Sequence, residues 1–167
     1  MRRWRALCWV CVSGLLVSGG TVNAEDQKLD TMLIERLTGL KGAMNEQEGV
    51  FKVSSPRNDV TIAVDGWAMP PFMGLTSWAA FTAGKDAPAM VMGDLVLFQD
   101  EVNPVLSALL DNGLSVTALH NHFFWETPRI FYMHVHGHGS AEDLAGKVKP
   151  ALDLIGHVKP SENQSGI

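Results

Sequence analysis

Five of the chain's six histidines fall between His120 and His138. Four of them form two H-x-H pairs, His120-Asn121-His122 and His134-Val135-His136. On a β-strand, side chains two apart point to the same side of the sheet, so each pair is a two-nitrogen edge able to chelate. With a turn centred on Pro128, His122 is expected opposite His134 and His120 opposite His136. Cross-strand Cβ atoms are then about 4.5–5.5 Å apart, and three or four imidazoles can converge on one ion. Register decides the outcome, because a slip of one residue would move one pair to the other face.

Glu126 follows His122 by four residues and can add a carboxylate, either as a ligand or as the base that activates a water at the metal. The expected metal ligands are therefore His120, His122, His134 and His136, with Glu126 as the candidate catalytic residue and His138 as an outer member. Three nitrogens and one oxygen suit a divalent transition metal, zinc first, with copper, manganese and iron as alternatives. The competing reading is a wet strand face whose histidines are structural. H-x-H-x3-E also matches the first metal motif of cupins, but a helix precedes this strand and no second cupin motif follows. A His-Asn-His nuclease reading is disfavoured by the acidic charge. Met69, Met73, Met90 and Met92 can be soft copper(I) ligands or core filler. Trp67 and Trp78 beside Pro70-Pro71 can wall a sugar or peptide site or simply anchor loops, and Asp65, Asp94 and Glu101 can join the site or serve turns and caps. No Ser/His/Asp spacing, P-loop or dinucleotide glycine motif is present.

The elements that must hold these residues are legible as periodicities. Leu29, Met32, Leu33, Leu37 and Leu40 predict a helix over 27–40. Short β-like runs follow at 50–54, 60–64 and 78–82, then a longer one at 89–98 that Gly93-Asp94 should break. Val102, Val105, Leu106, Leu109 and Leu110 make one helix face, with Asp100 or Asn103 as cap, Pro104 in the first turn and Gly113 closing it. A strand over 114–124, a turn at Glu126-Thr127-Pro128 and a strand over 130–136 come next. Ser140-Ala141-Glu142-Asp143 resembles a capping box for a last helix carrying Leu144, Val148, Leu152 and Ile155, kinked at Pro150. Leu119, Phe123, Phe131, Met133 and Val135 read as the core face, leaving the histidines with Tyr132 and Phe124 on the other. The order predicts an α+β fold, an antiparallel sheet with helices on one face and a ferredoxin-like flavour. Pro56-Arg57 with VTIAVDG echoes Pro128-Arg129 with YMHVHG, which raises an internal duplication.

The whole chain fits one exported domain. It has 167 residues, 46% hydrophobic, with 13 Lys+Arg against 18 Asp+Glu. Residues 1–24 read as an export signal: Arg2, Arg3 and Arg5, an apolar stretch from Ala6 to Val17, and Val22-Asn23-Ala24 as the cleavage site. Removing the three arginines takes the net charge from −5 to −8, which argues against nucleic acid and acidic membrane surfaces as partners. Both cysteines, Cys8 and Cys11, lie in that signal, so the expected mature chain has no disulfide and no transmembrane segment. The reading is a single domain over 25–157 with a disordered tail over 158–167, periplasmic or secreted, whose partner is a metal or small molecule and whose oligomeric state is open.

The stretches Met92-Gly93-Asp94-Leu95-Val96-Leu97 and Glu101-Val102-Asn103-Pro104-Val105, with Thr117–His122 and Tyr132–Gly137, resemble the LppY/LpqO family. Gly49–Val53, Pro56–Val60 and Asp65-Gly66 extend the resemblance over nearly all of 28–155. It implies an exported bacterial protein carrying a domain of unknown function, and it supplies no catalytic residues. Some members are lipid-anchored, and this chain departs from them in lacking an anchoring cysteine. Whether the domain is an enzyme or a non-catalytic binding protein therefore rests on the histidines.

Overall fold

The computed structural model describes residues 28–157 except Asp86; the leader and the tail read from the sequence lie outside them. Helix α1 (Thr31–Thr38) is shorter than its periodicity, because Asp30 caps it, accepting from Leu33 N–H at 3.0 Å, and Gly39 ends it at φ 74°. Six strands build the main sheet: β1 (Gly42–Asn45), β2 (Val50–Pro56), β5 (Thr76–Ala83), β6 (Ala89–Phe98), β7 (Ser115–His120) and β9 (Ile130–Gly139). Their order is β1-β2-β5-β6-β9-β7, antiparallel throughout. A second, small sheet has the order β4-β3-β8, made of β3 (Ile62–Val64), β4 (Trp67–Met69) and β8 (Glu126–Thr127).

The fold is α+β, as expected. Helices α1, α2 (Gln99–Asp111) and α3 (Ala141–Leu154) cover one face of the main sheet, packing on Phe51, Val53, Phe81, Val91, Leu95, Leu97, Met133 and Val135. The run β6-α2-β7-β9-α3 places β9 between β6 and β7, the split arrangement of ferredoxin-like folds. β5 takes the place beside β6, although it precedes β6 in the chain. Helix, edge strand and inner strand occur in sequence at both sheet edges, as α1-β1-β2 and as α2-β7-β9. The echoing segments VTIAVDG and YMHVHG, by contrast, lie in different sheets, as β3 and within β9.

The other face is only half covered. A second core of Ile62, Leu75, Val96, Phe98, Ile130 and Tyr132 forms where the small sheet and the 3-10 turn at Pro71–Met73 lie over one end of it. The remaining end is open, and the polar residues of β2, β5, β6 and β9 line it.

Three local expectations are corrected. β6 runs unbroken through Gly93-Asp94, since Gly93 answers a close approach and not a turn: a Cβ there would lie 2.9 Å from Trp78 O. Helix α2 begins at Gln99, capped through Glu101, which accepts from Phe98 N–H at 2.7 Å, so Pro104 sits in the second turn. The strand expected over 114–124 ends at His120, and Glu126-Thr127 pairs instead with β3.

The small sheet is tied down by Arg57, only 3% exposed. Its guanidinium donates to Val96 O (2.7 Å), to both oxygens of Glu101 (2.8 and 3.3 Å) and to both oxygens of Asp59 (2.9 Å each). Glu101 also accepts from Gly156 N–H at 2.7 Å. One buried cation thus links the β2–β3 connection, the start of α2 and the segment after α3.

Candidate functional site

The strand pairing shows how the histidines reach one face. Ser115 pairs with His136 and Val116 with Val135, then the register shifts at Thr117 so that Ala118 pairs with His134, Leu119 with Met133 and His120 with Tyr132. Without that bulge His120 would stand opposite Phe131 and point toward the helices. The bulge turns it to the open face, where His134, His136 and Tyr132 also lie. The expected register is therefore corrected: His120 and His134 are diagonal neighbours, not members of opposed H-x-H pairs, and His136 faces Ser115.

Three of the four expected ligands come together. His120 Nε2 lies 2.9 Å from His134 Nε2, a separation that requires an N–H on one ring and a lone pair on the other. His120 Nδ1 lies 3.4 Å from Asn121 O; a proton held there leaves Nε2 as the acceptor. His122, beyond the end of β7, stacks on Tyr132 with ring centroids 3.4 Å apart and planes within 10°, and its centroid is 5.0 Å from that of His120. Burial, with the neighbouring His120 and His134, pulls His122 below the ordinary imidazole value, against the opposing charge of Asp94. Tyr132 donates to Gly74 O at 3.0 Å, and burial pushes its hydroxyl up, so it acts as a fixed neutral platform. His136 pairs with His138 instead, ring centroids 4.6 Å apart.

The carboxylate beside this cluster is Asp94, directly across from His134. Its Oδ1 is buried without a hydrogen-bond partner. Burial raises its pKa, opposed by the charges of His134, His122 and His120. Asp94 had an open role in the sequence; the signal for it is a lone acid within the apolar run Ala89–Phe98, at even spacing from Met90, Met92 and Val96. Glu126 is placed differently. It is 7% exposed in β8, where Oε1 accepts from Asn121 Nδ2 and from Ile130 N–H, each at 3.2 Å, and Oε2 is buried without a partner. Burial raises its pKa as well. It holds no hydrogen bond to an imidazole; its contact with the site runs through Asn121, between His120 and His122.

A cleft of about 450 Å³ opens beside Asp94, lined also by Lys52, Ser54, Trp78, Thr76 and Phe72. Lys52 Nζ sits 4.2 Å from the Trp78 ring centroid, giving the cleft a cation held against an aromatic wall. Phe123 packs against the second core, not under the helices, and Phe124 is 85% exposed. Among the described residues, no group of three or more His, Cys, Asp or Glu side chains is already disposed around a metal position, and no helix is long and apolar enough to cross a membrane.

No curated protein and no solved structure matches the chain. A family model described as Domain of Unknown Function (DUF1259) matches residues 33–154, from α1 through the end of α3 and across both sheets. The chain belongs to this family, DUF1529.

Proposed function

We propose that this domain binds a divalent transition metal on its open sheet face, through His120, His122, His134 and Asp94. The observation that carries the reading is the 2.9 Å approach of His120 Nε2 to His134 Nε2. Two imidazole nitrogens bound to one tetrahedral zinc, at about 2.0–2.1 Å each, stand about 3.3 Å apart. The pair is thus within a few tenths of an ångström of a ligand edge, and binding requires the proton between the rings to leave that position, for the donor ring's own Nδ1, so that both Nε2 lone pairs face the ion. His122 and the partnerless Asp94 Oδ1 would supply the third and fourth donors once their side chains turn toward the pair. Asn121 O, facing His120 Nδ1, is the kind of outer partner that orients a metal-binding imidazole. Three nitrogens and one oxygen favour zinc, with copper, manganese and iron as the alternatives.

The reading takes the protein as an exported, LppY/LpqO-like member of the family, acting in the periplasm or outside the cell. A hydrolytic role is favoured by one observation, the cleft beside Asp94, whose volume of about 450 Å³ suits a small polar molecule. Lys52 would face an anionic group of that molecule, and Glu126, through its free Oε2, would accept a proton. The alternative is a binding protein that holds the metal without turnover.

Titration of the metal-free protein with Zn²⁺ tests the reading. About one equivalent bound in the wild type, with His122 and His134 ring signals shifting together, is expected. Unchanged ring signals at saturating zinc would overturn it.

A further inference from the structure

The geometry points to a second, separate metal site, a soft copper(I) site formed by Met90, Met92, His136 and His138. The four residues make a square on two neighbouring strands: Met92 of β6 pairs with His136 of β9, and Met90 pairs with His138. All four lie on the open face, because the residues between them, Val91 and its partner Gly137, face the helices: Val91 is buried in the helix-side core and a Cβ on Gly137 would meet Leu114 and Leu144. Cross-strand neighbours hold their Cβ atoms about 4.5–5.5 Å apart, within reach of one ion for imidazole and thioether side chains. The His136 and His138 rings already stand with centroids 4.6 Å apart.

Two observations favour a ligand over a packing role. Met92 is 48% exposed, and Met90 is absent from both cores, so these thioethers fill no gap in the interior. The donor set also excludes hard ions. Outside the square, the same-face cross-strand neighbours are Ser115 beside His136, Ala80 beside Met92 and Thr82 beside Met90, none of them a carboxylate; along the strands the next same-face pair, Asp94 and His134, belongs to the first site. Two imidazoles and two thioethers match Cu⁺, a soft cation; the thioethers, half of the set, add little for Zn²⁺ or Mn²⁺. The scaffold beneath is tight: a Cβ at Gly137 would meet Leu114 Cδ2 at 2.5 Å, so β9 is pressed onto the helical layer where it presents His136 and His138. Binding needs no electron transfer; Cu⁺ enters as Cu⁺ and displaces water or a competing ligand.

The test is anaerobic competition for Cu⁺ against bicinchoninate, using the full chain with Cys8→Ser and Cys11→Ser in every variant, so that no thiol competes for the ion. The wild type should take about one equivalent, and Met90→Leu/Met92→Leu, which keeps volume and removes both sulfurs, should hold Cu⁺ at least ~10-fold more weakly while Zn²⁺ binding is unchanged. His120→Ala/His134→Ala should leave Cu⁺ uptake intact. Failure of the wild type to take Cu⁺, equal uptake by the methionine variant, or loss of uptake in the His120/His134 variant would each overturn the assignment. Titration of methyl-labelled methionine with Ag⁺ gives an independent readout. Met90 and Met92 methyl signals should shift while Met44 and Met133 stay fixed, and no shift at Met90 or Met92 would contradict the site.

Discussion

Replacing Arg57 by methionine should cost about 3–5 kcal/mol, the range for stranding one partner of a buried ion pair. Glu101 is fully buried and loses two donors, keeping only Phe98 N–H and Gly156 N–H. Val96 O loses its donor as well. Asp59, 42% exposed, adds under about 1 kcal/mol because water screens it. For a domain of this size the total corresponds to a fall in melting temperature of roughly 10–20 °C. Urea and thermal unfolding followed by circular dichroism would measure it. The double variant R57M/E101Q should cost at least about 1 kcal/mol less than the sum of the two single changes, since removing both charges leaves none unpaired. Acid titration adds a check of sign. Hydrogen bonding to Arg57 holds the Asp59 carboxyl below its ordinary 3.8, so its contribution is fully present above that value and is lost as pH falls through the lower folded-state value. In R57M that acid-side loss should vanish. A cost under about 1 kcal/mol for R57M, or strict additivity in the cycle, would refute the view that this buried cation holds the small sheet over the main one.

Glu126→Gln should be neutral or stabilising at pH 7, because burial raises the carboxyl pKa and its ionisation opposes folding. The raised value means the destabilisation grows as pH rises above the ordinary 4.5, so wild type and variant should converge in acid. Denaturant midpoints across pH 4–7 would show it, and a variant less stable at pH 7 than at pH 4, relative to wild type, would contradict it. Gly93→Ala should destabilise by about 1–3 kcal/mol, since its Cβ meets Trp78 O at 2.9 Å and backbone cannot yield as a side chain can. A melting temperature equal to wild type would show that β5 and β6 are less tightly apposed than described.

The shared face of the histidines was legible because strand periodicity needs only local sequence. His134 and His136 face away from Met133 and Val135, and the alternation says so. The partners across the strand were not legible. The bulge at Thr117 changes the register by one residue without any glycine or proline to mark it, and the segment after His120 leaves the hairpin to pair with β3. Asp94 and Glu126 exchanged importance for the same reason: the first is brought beside His134 by β6–β9 pairing, and the second is drawn into the small sheet. Helical layers were readable from Val105, Leu109, Leu144 and Val148. The Arg57–Glu101 pair spans 44 residues of sequence, and nothing local distinguishes Arg57 from a solvated arginine. Very short strands such as β4 and β8 carry too few residues for alternation to register.

The most direct measurement is elemental analysis of the protein purified without an affinity tag from the compartment where it accumulates, with His120→Ala/His134→Ala prepared in parallel. The account predicts about one equivalent of zinc or a similar divalent metal in the wild type and none in the variant, with both showing the same circular dichroism. Equal metal content in the two folded proteins, or a wild type that neither carries nor takes up a divalent metal, would contradict it.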